Sequence, residues 1–71
     1  MKYYVLAGEI NGQSIRERTF VTRRDAENVL SAILFRHDLQ VEDDRFPSKH
    51  TEEFVCDRGS RFFVRRVVYG E

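Results

Sequence analysis

The sequence has little of several residue types whose abundance would define a protein class. Its 71 residues include one cysteine, one proline and no tryptophan. No apolar run approaches the ~20 residues that a membrane-spanning helix needs, so we expect no membrane partner. A single cysteine cannot form an intramolecular disulfide, so the fold must depend on its apolar core. Nothing in the first residues resembles an export signal, which predicts a cytoplasmic location.

The chain also lacks the residue patterns that enzymes and metal proteins use. His37, His50 and Cys56 have no partners at metal-ligand spacing, and the acidic run at residues 42–44 lacks the other positions of a calcium loop. There is no phosphate-binding loop, dinucleotide fingerprint or nucleophile elbow. Cys56 is expected to be a small buried residue in a strand rather than a nucleophile. We therefore expect no enzymatic activity, no cofactor and no metal site.

What the sequence does have is charge, and this charge is unevenly distributed. Charged residues make up 34% of the chain and hydrophobic residues 41%, which is typical of a folded domain, here a single one over residues 1–71. The formal net charge is zero, yet residues 38–53 carry −4 and the segments on either side carry +2 each. Ten of the twelve basic residues are arginine, whose planar head group suits interfaces and phosphates.

Local patterns predict two hairpins with one helix between them. Apolar runs on both sides of Asn11-Gly12 predict a hairpin over residues 2–21 with a two-residue turn, in which Leu6 would pair with Glu17. A three-residue loop would instead shift the pairing by one residue and regroup the two faces. Thr22 is a good N-cap, and the apolar spacing after it predicts a helix over residues 23–37. Apolar runs around a turn at residues 57–59 predict a second hairpin over residues 52–69, with Phe54 opposite Phe62.

The acidic segment between the helix and the second hairpin is predicted to be a long loop. Residues 38–51 contain the single proline, Pro47, and few apolar residues. Loops of this length are uncommon in compact domains and are often functional. The predicted fold is therefore α+β, with elements in the order ββαββ. It has a four-stranded antiparallel sheet and one helix packed on one face.

The stretch TFVTRRDAENVL, residues 19–30, resembles the strand-to-helix junction of integrase arm-binding domains. That resemblance implies DNA binding and three strands before the helix, whereas two are predicted here. The size and strand order of the whole chain look like those of small inhibitors and adaptors that phages and mobile elements encode.

The last predicted strand, RFFVRRVVYG at residues 61–70, has apolar residues on both faces. Alternation places Phe62 and Val64 on one side and Phe63 and Val67 on the other. One helix covers only one face, and aromatic and arginine side chains are enriched at interfaces, so the second face is expected to bind a partner. The predicted partner-binding residues are Tyr3, Arg16, Arg18, Phe20, Arg61, Phe63, Arg65 and Tyr69.

Three functions are compatible with such a face. The leading hypothesis is a non-enzymatic protein-binding module, an inhibitor or adaptor of the phage or mobile-element type. One alternative is a nucleic-acid-binding accessory protein that uses the same arginines, although the zero net charge weighs against it. The other is a structural homodimer with this face as its seam. The acidic loop could also fold across the face and bury its aromatic residues.

Overall fold

A computed structural model of the protein describes residues 1–70 as one antiparallel sheet with a single helix packed on one side. The elements in chain order are β1 (Lys2–Ile10), β2 (Gln13–Ser14), β3 (Arg18–Phe20), α1 (Arg23–Arg36), β4 (Val41–Ser48), β5 (Thr51–Cys56) and β6 (Arg61–Val68). Across the sheet the strand order is β2-β1-β6-β5-β4, and β3 pairs with β1 on the same outer edge as β2. The α+β class is confirmed. Residue 71, the last of the predicted domain, lies outside the described residues.

The prediction of a four-stranded sheet in the order ββαββ is wrong, because the sheet has six strands in the order βββαβββ. One cause is a break in the strand that follows the first turn. Asn11 and Gly12 both have positive φ, and Ile10 pairs with Gln13 as the two-residue turn requires. Beyond β2 one extra residue enters the strand, so Leu6 pairs with Arg18 and not with Glu17. Residues 18–20 therefore point to the opposite face from the predicted one.

The other cause is the acidic segment, for which the prediction of a loop over residues 38–51 is wrong. Residues 41–48 form β4, which pairs with β5 through contacts such as Asp44 with Phe54. All eight residues of β4 are exposed, so it has no buried face to impose an apolar alternation on its sequence. As an edge strand it tolerates charge and proline, and Pro47 coincides with a register shift between Arg45 and Ser48.

The position of β4 also decides whether the acidic segment covers the face opposite the helix. Because β4 is hydrogen-bonded to β5, it extends the sheet in the plane of the other strands. A segment held in that plane does not fold across either face. The hypothesis that the acidic segment buries the aromatic residues of the second face is therefore wrong.

The helix and the second hairpin form where the sequence predicts them. The Thr22 hydroxyl accepts a hydrogen bond from the Asp25 amide at 3.1 Å, and the helix ends at Arg36 with His37 as its C-cap. In the second hairpin Phe54 pairs with Phe62, as predicted. Its turn requires positive φ at Arg58 (58°) as well as at Gly59 (66°).

The core lies between α1 and the two central strands of the sheet. Leu6 on β1 and Phe62 and Val64 on β6 are fully buried, and Ala26 and Leu30 of the helix pack in the same cluster. Leu39 from the connection after the helix and Cys56 at the end of β5 complete it. The helix packs over β1, β3 and β6, which leaves the other side of the sheet uncovered by any helix of the described chain.

Gly8 lies in β1 where the neighbouring strand leaves no room for a side chain. A Cβ atom at this position would lie 2.5 Å from the carbonyl oxygen of Arg61 and 2.7 Å from Cδ1 of Phe62. We expect Gly8→Ala to lower the free energy of unfolding by about 3 kcal/mol, because a strand backbone and a buried ring must both move. Gly12→Ala is the control, since a Cβ there meets open space and only its positive φ costs about 1 kcal/mol. Urea unfolding measures both losses, and equal losses would contradict this account of Gly8.

Candidate functional site

The side of the sheet that faces away from α1, which we call the open face, carries the residues that alternate with the core. Successive side chains of a strand point to opposite sides, so Val5 and Phe63 are directed away from the helix that Leu6 and Phe62 approach. Strands β1, β5 and β6 contribute most of this face. Its residues are Tyr3, Val5, Ala7, Glu9, Thr51, Glu53, Val55, Arg61, Phe63, Arg65 and Val67.

The structure brings five of the eight predicted partner-binding residues together on the open face or at its end. Tyr3, Arg61, Phe63 and Arg65 belong to the face itself. Tyr69 follows β6, and its ring meets that of Tyr3 edge to face with 5.4 Å between the centroids. The Arg61 guanidinium lies 6.0 Å from the centroid of the Phe63 ring. The aromatic and arginine side chains of β1 and β6 are therefore neighbours, as the sequence predicts.

The other three predicted residues, Arg16, Arg18 and Phe20, are not on the open face. Phe20 pairs with Tyr4, so it points to the helix side, where it packs against the core. Arg18 points to the same side, and Arg16 lies in the irregular segment between β2 and β3. The prediction misplaced them because it continued one register through residues 15–17, where the extra residue reverses the alternation.

A shallow apolar depression lies near the middle of the open face. Its volume is about 240 Å³. Val5, Ala7 and Phe63 provide its apolar surface, and Glu17 and Arg65 add one charge of each sign. Val5 is only 6% exposed although it points away from the helix, because it lies on a central strand between residues of β3 and β6. The depression therefore has an apolar centre with charged groups around it.

Most charges of the open face are compensated within the face. Arg61 lies 3.8 Å from Glu9 and 3.6 Å from Glu53, on the strands to either side of it. At the edge, Arg45 binds Asp43 at 2.7 Å, and this hydrogen bond lowers the pKa of the Asp43 carboxyl. In the described part of the chain, Arg65 forms no ion pair. Within residues 1–70, the charge of the Arg65 guanidinium is therefore left without a carboxylate beside it.

A polar cleft of about 260 Å³ lies on the helix side, near the first residues of α1. Arg66 donates a hydrogen bond to Nδ1 of His50 at 2.8 Å, and Arg23 forms ion pairs with Glu27 and Glu52. Burial raises the pKa of the Glu52 carboxyl, and the neighbouring Asp44 adds to this rise, whereas Arg23 opposes it. Sequence patterns did not reveal this cluster because its members come from the helix, β4, the turn between β4 and β5, β5 and β6.

The remaining chemistry of the described residues is limited. Among residues 1–70 no group of three or more His, Cys, Asp and Glu side chains is arranged to hold a metal ion. No helix in that range is long and apolar enough to cross a membrane. Cys56 is buried, as predicted, and burial raises the pKa of its thiol, with a smaller contribution from the charges of Asp57 and Glu42. A thiol in this state is a poor nucleophile.

Comparison of the chain with protein-family models, with curated proteins and with solved structures found no match. The resemblance of residues 19–30 to integrase arm-binding domains therefore stays a prediction. Three strands do precede the helix, but β2 and β3 pair with the same edge of β1 and amount to one interrupted strand.

The raised pKa of Glu52 predicts that stability depends on pH. Because the folded protein holds the Glu52 proton more tightly than the unfolded chain does, the free energy of unfolding should fall as the pH rises from the usual value of 4.5 through the raised pKa. Glu52→Gln should remove this part of the decline. Asp44→Asn should reduce it, because Asp44 contributes to the rise. Urea unfolding between about pH 4 and 7 tests the prediction, and an unchanged decline in Glu52→Gln would contradict it.

Proposed function

We propose that this protein is a non-enzymatic protein-binding module that docks a partner protein on the open face of its sheet. The observation that supports this function is the apolar depression with Arg65 beside it and no carboxylate paired to that arginine among residues 1–70. An apolar or aromatic side chain of the partner would enter the depression, and an adjacent carboxylate would bind Arg65. An inhibitor or adaptor of the phage or mobile-element type would act in this way.

The aromatic residues of the open face have surface left to bury against a partner. Tyr3 and Phe63 are half-buried, and Tyr69 is 47% exposed. Each ring is attached to a strand or packed on its neighbour, so its position is largely set before binding. Large rigid side chains of this kind contribute contact area at a low cost in conformational entropy. They suit the centre of a protein interface.

The charges favour a protein partner over a nucleic acid. Phosphate binding draws on several uncompensated cations along one surface. On the open face Arg61 shares its charge with Glu9 and Glu53, which leaves Arg65 as the main uncompensated cation of β6 on that side. The acidic residues of β4 also lie at one edge of the same sheet. This distribution would repel a phosphate backbone laid across the strands.

A homodimer through the open face is the second candidate. The depression carries Glu17 as well as Arg65, so the surface has one charge of each sign beside its apolar centre. A twofold axis places the same patch of two copies against each other, and such a patch must be self-complementary. Arg65 of one copy facing Glu17 of the other would meet that requirement.

Photo-crosslinking at two phenylalanine positions tests the proposed function. Phe63 lies in the depression, whereas Phe35 is 89% exposed on the outer side of α1. In cells that naturally produce the protein, we expect a photoreactive benzoylphenylalanine at position 63 to form one discrete adduct with another protein. The same replacement of Phe35 should form none. Adding Arg65→Glu should abolish the adduct, because it reverses the charge that binds the partner.

Arg24→Glu is the matched control for Arg65→Glu, because Arg24 is exposed on the helix and undergoes the same change of charge. It should leave the adduct intact. An adduct of twice the mass of the chain would replace the proposal with the homodimer, and an adduct with DNA or RNA would replace it with nucleic-acid binding. Equal adducts at positions 63 and 35 would show that the open face is not a specific site.

A further inference from the structure

A second surface lies on the opposite side of the sheet, between the last turns of α1 and the outer sheet edge. It consists of two depressions of about 450 and 260 Å³. Both are lined by Arg18, Ile33 and His37, so they adjoin each other, and we call the two together the edge groove. Arg18 pairs with Leu6 and therefore belongs to the helix side, so the edge groove lies on the side of the sheet opposite the open face, and Glu17 at the sheet edge lines both surfaces.

The floor of the edge groove is aliphatic. Ile10 and Ile15 come from the first hairpin, and Val29 and Ile33 come from the helix. All four pack against the core yet are only half-buried, so each has one side in the protein and one side open to the groove. A partner that covers these side chains would gain hydrophobic free energy without any rearrangement of the core.

Three arginines stand around this floor. Arg16 lies just before β3, Arg18 is the first residue of β3, and Arg36 is in the last turn of α1. All three are exposed, and within residues 1–70 none of them forms an ion pair. Of the described residues that line the groove, only Glu17 is acidic. The groove therefore combines an apolar floor with uncompensated positive charge.

We propose that the edge groove binds an acidic segment of a partner protein that carries aliphatic side chains as anchors. The anchors would rest on the isoleucine floor, and the carboxylates would pair with Arg16, Arg18 and Arg36. This goes beyond the open-face function, because it gives the protein two docking surfaces on opposite sides of one sheet. An adaptor that joins two proteins needs such an arrangement.

Other occupants fit the edge groove less well. Single-stranded nucleic acids are usually bound by several aromatic side chains on which bases stack, and His37 is the only aromatic residue among the described residues that line the groove. In the acidic strand β4 of a second copy, Arg45 already neutralises Asp43, which leaves Glu42 and Asp44. Charged edge strands generally oppose pairing between copies.

Selection of peptides on the purified protein tests the proposal without knowledge of the natural partner. The probe is a library of random peptides displayed on phage. We expect the enriched peptides to contain more Asp and Glu than the unselected library, together with Leu, Ile or Val. The affinity of the most enriched peptide is then measured by titration calorimetry at low and physiological salt, and it should fall as salt screens the ion pairs.

Two double variants with the same change of net charge locate the binding site. Arg18→Glu with Arg36→Glu reverses charge in the edge groove, whereas Arg24→Glu with Lys49→Glu reverses it on the outer helix surface and in the turn between β4 and β5, away from both the groove and the open face. We expect the first pair to weaken peptide binding at least about tenfold and the second pair to change it less than about twofold. All four residues are exposed, so both variants should fold, as circular dichroism and urea unfolding will show. Arg18→Gln is the milder variant should the first pair fail to fold, and it too should weaken binding.

Several results would overturn the proposal. These are the absence of any enriched peptide, enrichment without acidic bias, and equal losses of affinity in the two double variants. Competition by single-stranded DNA or RNA that depends on Arg18 and Arg36 would assign the groove to a nucleic acid. Self-association of the parent protein in sedimentation, lost in the groove variant, would assign it to a second copy. None of these results bears on the open face, which is tested separately through Phe63 and Arg65.

Discussion

Strands β1 and β6 come from opposite ends of the chain and pair without interruption from Lys2–Val68 to Glu9–Arg61, and the rest of the structure depends on this pairing. The register places Leu6 beside Val64 in the layer under α1. The same alternation places Val5 beside Arg65 on the open face. The core and the candidate binding surface therefore depend on the same pairing register of β1 with β6. A shift of this register by one residue would move the core side chains to the open face and the open-face side chains to the core.

Contacts at both ends of the central pair hold this register. Where Gly8 and Phe62 meet, the absence of a side chain at Gly8 lets the two strands approach each other around a buried ring. Next to this contact, Ser60 is buried, with 2% of its surface exposed. Its hydroxyl accepts a hydrogen bond from the Asn11 amide at 3.2 Å. At the other end the Tyr69 amide donates to the Met1 carbonyl oxygen at 2.9 Å. A chain of this size has a small core, so such local contacts weigh heavily in its stability.

The zero net charge of the chain conceals surfaces of different character. On the open face Arg61 lies between Glu9 and Glu53 on the adjacent strands, whereas Arg65 beside the apolar centre has no ion pair within residues 1–70. At the edge groove three arginines meet a single glutamate, whereas β4 at the far edge of the sheet carries three acidic residues and one arginine. Separation of charge between two sheet edges gives the molecule surfaces of different charge, which a count of charged residues does not reveal.

The sequence by itself determined the features that rest on local chemistry. Asn11-Gly12 adopts the positive φ of a tight hairpin turn, Thr22 caps the helix, and Phe54 meets Phe62 across a short turn, because each depends on residues close in the chain. Only the tertiary structure decided the rest. The extra residue that turns Arg18 and Phe20 to the helix side and the formation of the wholly exposed β4 depend on pairing with β1 and β5. The neutralisation of Arg61 likewise requires strands that are distant in sequence, so no local pattern contains it.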